Sequence, residues 1–169
     1  MRREQKIVVT GAASGITFMI LSVLLLAQVL PVPTTVTMGD QIAYALKWDA
    51  LAAVPFFLMI VVVGNERFLS DAIDPTLGKE SKRMIVDGHV ADNTTQQLVL
   101  FIVSSLALTA NLSSQRLPVI GAAAITFTIV RLAFWIGYRI DPLYRAFGFA
   151  GTIYLNICLL AAALWMALT

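Results

Sequence analysis

Cysteine and histidine are nearly missing from this 169-residue chain, which holds one of each. A single cysteine, Cys158, excludes an intrachain disulfide, and no zinc-ligand spacing or Cys-x-x-Cys motif can be written, so no metal is expected. Cys158 lies within an apolar run, where burial opposes the thiolate; it reads as a small hydrophobe rather than a nucleophile. Charge is scarce as well, at 13% of residues against about a quarter in soluble domains. The net charge of +2 is scattered, and basic and aromatic residues do not interleave along any stretch, which excludes a nucleic-acid partner. There is no internal repeat and no low-complexity tract.

What fills the chain is hydrocarbon. Hydrophobic residues make up 59% and the mean hydropathy is +0.82, values of an integral membrane protein. A helix needs about 20 apolar residues to cross the hydrocarbon. Five runs qualify or nearly do. The first, Ile7 to Leu30, carries no charge and stops at Pro31 and Pro33. Arg2, Arg3 and Lys6 before it resemble a signal-peptide n-region, but the run far exceeds an h-region of roughly 7–15 residues, so a retained span is expected. The second, Ala50 to Gly64, is short and borrows Ile42 to Trp48, with Lys47 snorkelling, Trp48 at the interface and Pro55 as a kink site. The third covers Gln97 to Leu112 and starts near Asn93. The fourth covers Leu117 to Tyr138, and the fifth Ala146 to Leu168. The expectation is an all-α protein of five transmembrane helices, in two parts: an extra helix within residues 1–35, and a bundle over 40–169 with a loop at 65–92.

Lysine and arginine set the orientation. With the N-terminus in the cytosol, nine of the twelve basic residues face inward: Arg2, Arg3, Lys6, Arg67, Lys79, Lys82, Arg83, Arg139 and Arg145. Only Lys47 and Arg116 face out, and Arg131 lies within a span. The expected topology is therefore N-terminus in, C-terminus out, with loop 65–92 cytosolic. Asn93-Thr-Thr95 and Asn111-Leu-Ser113 match the glycosylation pattern, but the first is cytosolic and the second hugs the membrane, so neither is expected to be used.

Polar residues inside the spans mark function, because lipid makes them costly. Arg131 stands about two turns from the end of the fourth span, roughly 10 Å deep at 1.5 Å per residue. It either snorkels or pairs with polar groups on a neighbouring helix. Candidates are Asp92, Asn93, Gln96 and Gln97, where Asn93 and either glutamine share a face; an N-cap at Asp92 or Asn93 with Gln96 closing a capping box is compatible with both. Tyr138, seven residues after Arg131, projects from the same face of the fourth helix. Arg145 opens the fifth span, where the helix dipole does not favour a cation; an anionic ligand or a positive-inside anchor would each explain it. Asn93, Gln96, Arg131, Tyr138 and Arg145 thus form a candidate binding cluster for a polar, anionic headgroup, with an apolar tail between helices.

These residues resemble a known family. Asn93-Thr-Thr-Gln-Gln-Leu-Val-Leu-Phe101, then Arg131 and Tyr138, then Arg145 after a short turn, are similar to the MAPEG superfamily, the membrane-associated proteins of eicosanoid and glutathione metabolism. The resemblance runs from about Ala50 to the C-terminus. It implies a four-helix protomer, a homotrimer, and glutathione held between subunits near the cytosolic face, with Arg145 in the place of the arginine that activates the glutathione thiol. Asn93, Arg131 and Tyr138 match the family pattern. Gln96 stands where the family has glutamate, His89 and Asp92 where it has basic residues, and Phe149 where it has tyrosine.

Ala43-Tyr-Ala-Leu-Lys47, Ala52-Ala-Val-Pro-Phe56, Arg131-Leu-Ala-Phe-Trp135 and Arg145-Ala-Phe-Gly-Phe149 are further similar to the five-pass, mattrin-like members. That likeness implies an endomembrane or secretory-pathway protein that contacts other membrane proteins and regulates Frizzled/Wnt-type receptors. The alternative implied by the family is an active glutathione transferase or peroxidase acting on lipid electrophiles. A third reading needs no ligand: Arg131 simply locks helices together. The departures at Asp92, Gln96 and Phe149 point away from turnover.

Overall fold

The computed structural model describes residues 2–34 and 37–169. They form five long helices: α1 (Arg3–Val29), α2 (Met38–Phe68), α3 (Lys82–Thr109), α4 (Pro118–Ile140) and α5 (Ala146–Leu168). No strand occurs among the described residues. The protein is an all-α, multi-pass membrane protein. Four helical stretches are long and apolar enough to cross a membrane: α1, α2, Ser114–Ile140 and α5. α3 has the length, but its first half is polar and only its second half, from Leu98, is a hydrocarbon run. The expected end of the first part, residue 35, lies outside the described residues, as does Met1.

The segment 65–92, expected as a loop with one helical extension from the second span, is largely helical: the extension is there, and a second helical stretch precedes Asn93. α2 runs on to Phe68 and α3 begins at Lys82. Ser81 caps α3 by accepting the Met84 N–H at 3.1 Å, so Asn93 is no N-cap but lies three turns into the helix. The polar early turns of α3 hold as helix because their charges find partners: Arg83 pairs with Glu66 at 3.1 Å, and Asp87 is bound by Arg139. The remaining connection holds a 3₁₀ turn at Pro75–Leu77 and the Arg67–Glu80 ion pair.

α2 starts with a reciprocal cap. Thr37 accepts the Asp40 N–H at 3.2 Å while the Asp40 carboxylate accepts the Thr37 N–H at 2.8 Å, which satisfies two orphan donors at once. Pro55 sits inside α2 without ending it. A proline lacks the N–H that would bond the carbonyl four residues back. That carbonyl, on Leu51, lies 3.2 Å from the Thr128 hydroxyl of α4, whose single proton it shares with the Ala124 carbonyl at 2.9 Å. Repair by a neighbouring helix is how a membrane helix tolerates proline.

α4 is the pillar. It packs on α1, α2, α3 and α5 and is small-residued where it starts, with Gly121 and Ala122 to Ala124 buried. α5 comes close to it: a Cβ on Gly148 would lie 2.4 Å from the Val130 carbonyl oxygen and the Phe134 nitrogen. α1 packs on α5 and α4, closest at Gly15, where a Cβ would lie 2.1 Å from the Phe147 carbonyl oxygen. Small residues that let backbones approach supply the van der Waals contact that joins helices in lipid. Polar pairs across helices add glue: the Ser105 hydroxyl donates to Asp49 at 2.7 Å, Ser22 and Thr126 share a 2.8 Å bond, and the Asn156 amide donates to the Gln97 side chain at 2.9 Å.

Candidate functional site

Five helix ends meet at one end of the bundle: the starts of α1, α3 and α5 and the finishes of α2 and α4. Here α3 and α4 present polar groups to one another because their sequences place them at matching heights. Arg131 is fully buried, with no exposed surface, so it does not snorkel. Its Nε donates to the Thr152 hydroxyl of α5 at 2.8 Å, and Nη1 donates to the Asn93 side-chain oxygen of α3 at 2.9 Å. Its guanidinium carbon stands 4.5 Å from the centre of the Phe134 ring, a cation–π contact strengthened by the absence of solvent. One arginine thus ties α3, α4 and α5 together. Pairing across helices was legible from the sequence; Thr152 as a partner was not, because a lone threonine in an apolar helix carries no signal.

In front of this buried arginine lies an open cleft of about 430 Å³, lined by His89, Asn93, Phe134, Tyr138, Arg145 and Phe149. Arg145 donates through Nη1 to the Tyr138 hydroxyl at 2.8 Å, and its guanidinium lies 4.9 Å from that ring's centre. A phenol does not neutralise a guanidinium. The nearby Asp141 carboxylate is turned to the Leu143 N–H, which it accepts at 2.7 Å, and no carboxylate reaches salt-bridge distance of Arg145 among the described residues. Arg145 therefore keeps a cation at the cleft mouth, held in place by an uncharged partner.

Four of the five candidate residues converge here: Asn93, Tyr138 and Arg145 line the cleft, and Arg131 supports it from behind. Gln96 does not join them. It is exposed on α3, whereas Gln97 is buried and bonded to Asn156. Asp92 is exposed and makes no contact with Arg131. The cleft also holds His89 and Phe149, which stand where the family resemblance placed departures.

A second polar centre escaped sequence reading. Asp87, in the segment expected as loop, has a side chain with no exposed surface. Arg139 binds it through two parallel bonds, Nε to Oδ1 at 2.8 Å and Nη2 to Oδ2 at 2.6 Å, and the Trp135 indole N–H donates to Oδ1 at 2.7 Å. Bidentate arginine–carboxylate geometry is the strong form of this interaction. The signal lay in Trp135 and Arg139, four apart on one helix face, but their partner lies in a distant stretch of sequence. Asp49 in α2, a carboxylate within an apolar run, is likewise buried.

Among the described residues no cluster of metal-binding side chains occurs. Comparison with known proteins finds no curated protein and no solved structure that matches the chain. Residues 45–165, which span most of α2 and all of α3 and α4, and α5 up to Trp165, match the MAPEG family. With the match covering well over half of its length, and α1 standing outside it, the chain belongs to the MAPEG family.

Proposed function

We propose that this is a ligand-binding MAPEG protein whose cleft takes an anionic group of the glutathione or lipid-headgroup type. One observation carries the reading: Arg145, a cation held by the neutral Tyr138 hydroxyl, stands at the mouth of a cleft of about 430 Å³. An anion there gains a charge-assisted bond without displacing an existing carboxylate. Asn93 and His89 offer further polar contacts, and Phe134 and Phe149 supply apolar walls. A few polar groups on an apolar lining is the usual composition of a small-molecule site.

The role we assign is binding rather than turnover. Phe149 contributes no hydroxyl, Gln96 is a neutral amide where the family pattern has a carboxylate, and Asp92 is a carboxylate where it has a base, so a peptide ligand is gripped by fewer charges than the family pattern provides. In this reading the protein is a mattrin-like homotrimer of the secretory pathway, N-terminus in the cytosol, that regulates a membrane-protein partner of the Frizzled/Wnt type according to ligand occupancy. The concentration of basic residues at the cleft end supports that orientation. A second reading, a glutathione transferase acting on lipid electrophiles, is favoured by Arg145 itself, since a nearby cation lowers the pKa of a bound thiol.

Glutathione titration followed by thermal unfolding of the purified protein tests the site. At about 100 times the dissociation constant, a ligand stabilises the native state by about 2.7 kcal/mol. An upward shift that is lost in Arg145→Ala supports the reading. No shift with glutathione, nor with an alkyl phosphate, would sink it. Turnover of a lipid hydroperoxide or epoxide with glutathione would replace the regulator by the enzyme.

A further inference from the structure

We propose that α1 builds the tail subsite of an amphiphile whose anionic head sits at Arg145. The proposal rests on the cleft reading above and adds the part of the ligand that the polar cleft cannot hold. Beside that cleft lies a second hollow of about 280 Å³, between α1 and the turn into α5. Val8 and Ala12 of α1 form one wall, and Leu143, Ala146 and Phe149 form the other. The one charged residue lining it is Arg145.

Two features join the hollows. Arg145 and Phe149 line both, so one guanidinium serves a polar compartment on one side and an apolar one on the other. A molecule with an anionic head and a hydrocarbon tail matches that division; a peptide, with a polar backbone throughout, does not, because its amides would be left unbonded against alanine, leucine and phenylalanine. The hollow also lies between membrane helices, where lipid tails are the surrounding medium.

The wall is fixed by the docking of α1. Val8, Ala12, Gly15 and Met19 follow the three- and four-residue spacing of one helix face. Gly15 lets the α1 backbone touch the Phe147 carbonyl, and Met19 is buried. One turn earlier α1 is still close, since a Cβ on Gly11 would lie 3.2 Å from the Ala146 Cβ; α5 begins at Ala146, and where α1 runs on past that start Val8 is exposed and Ala12 half-buried, which leaves the hollow open. α1 lies outside the residues that match the family. Ligand choice exerted through this wall is therefore a property of this chain's added helix.

Photolabelling tests this. The full-length protein is placed in phosphatidylcholine vesicles with a trace of a fatty acid bearing a diazirine a few carbons from its carboxylate, irradiated, digested and mapped by mass spectrometry. The expected adducts concentrate on α1 around Val8–Ala12 and on Leu143–Ala150. They fall at least fivefold in Ala12→Phe, which fills the hollow, and in Arg145→Ala, which removes the anchor for the head. If Ala12→Phe does not fold, Val8→Trp narrows the hollow from an exposed position. Labelling spread equally over the lipid-facing residues of α2, such as Phe57 and Ile60, and unchanged by these variants, would mean annular lipid only and would overturn the proposal. Glutathione thermal shifts on the same preparations separate the two readings. A shift without selective labelling removes the tail subsite and leaves the cleft. Selective labelling without a shift keeps the subsite and removes the glutathione-type head.

Discussion

The Nε of Arg131 and the hydroxyl of Thr152 stand 2.8 Å apart, and that bond joins the pillar helix α4 to α5 at a depth where neither group meets water. Thr152 passes the contact on, since its hydroxyl donates to the Gly148 carbonyl at 2.8 Å. Thr152→Val keeps the shape and removes the acceptor. A buried donor left unmet costs about 1–3 kcal/mol, and we expect Thr152→Val to lower stability by that amount in thermal or denaturant unfolding. Arg131→Met, which removes the charge together with its need for partners, should cost less than Asn93→Ala, which leaves the guanidinium without its α3 partner. Arg131→Met proving the more damaging of the two would refute this ordering.

Asp87 and Arg139 form the second lock. Breaking a well-buried ion pair by removing one partner costs about 3–5 kcal/mol, and because the Arg139 side chain is partly exposed we expect Asp87→Ala to cost about 2–3 kcal/mol. The double variant Asp87→Ala with Arg139→Leu should recover part of the loss. Strict additivity in that double-mutant cycle would show that the pair is not coupled.

Gly15 sets how close α1 comes. Gly15→Leu cannot be accommodated against the Phe147 carbonyl, so α1 should leave α5 while α2 to α5 stay assembled. Spin labels at Val9→Cys and Tyr154→Cys, both exposed positions, report the separation by pulsed resonance. They require a Cys158→Ser background, because Cys158 is itself exposed. A narrow distance distribution should broaden in the variant; an unchanged one would show that α1 is held elsewhere.

Tyr138→Phe removes the acceptor that holds Arg145. The net loss for such a bond is about 1 kcal/mol, so glutathione or alkyl phosphate affinity should fall about fivefold, with the fold intact by thermal unfolding. Equal affinity in the variant would show that Tyr138 does not position Arg145.

The spans could be read from the sequence because charge-free hydrocarbon of helix length has few alternatives. The start of α3 could not. Its first turns, Lys82 to Asp92, are polar and look like a connection until the long-range partners Arg139 and Glu66 are known. Arg131 announced itself as a charge in lipid, and Asn93 as a neighbour at the right height. Gln96 and Gln97 were harder to separate. Three or four residues from Asn93 both approximate one face, but they stand about 100° apart on a helix of 3.6 residues per turn, and packing against Asn156 selected Gln97. Neighbouring helices made that choice, and a single segment does not contain it.

The placement of α1 bears on how the chain is made. α1 leaves the ribosome before α4 and α5, the helices it packs on. Throughout translation α1 must therefore wait in the bilayer without its partners. Its run from Ile7 to Leu30 has no charge to satisfy, and Thr10, Ser14 and Thr17 bond their own backbone, to the Lys6, Gly11 and Ala13 carbonyls, while Ser22 finds Thr126 once α4 follows. α3 is built for the opposite history, with buried groups that need α4 and α5 beside them. The order of insertion thus divides the helices into one that can wait alone and others that cannot.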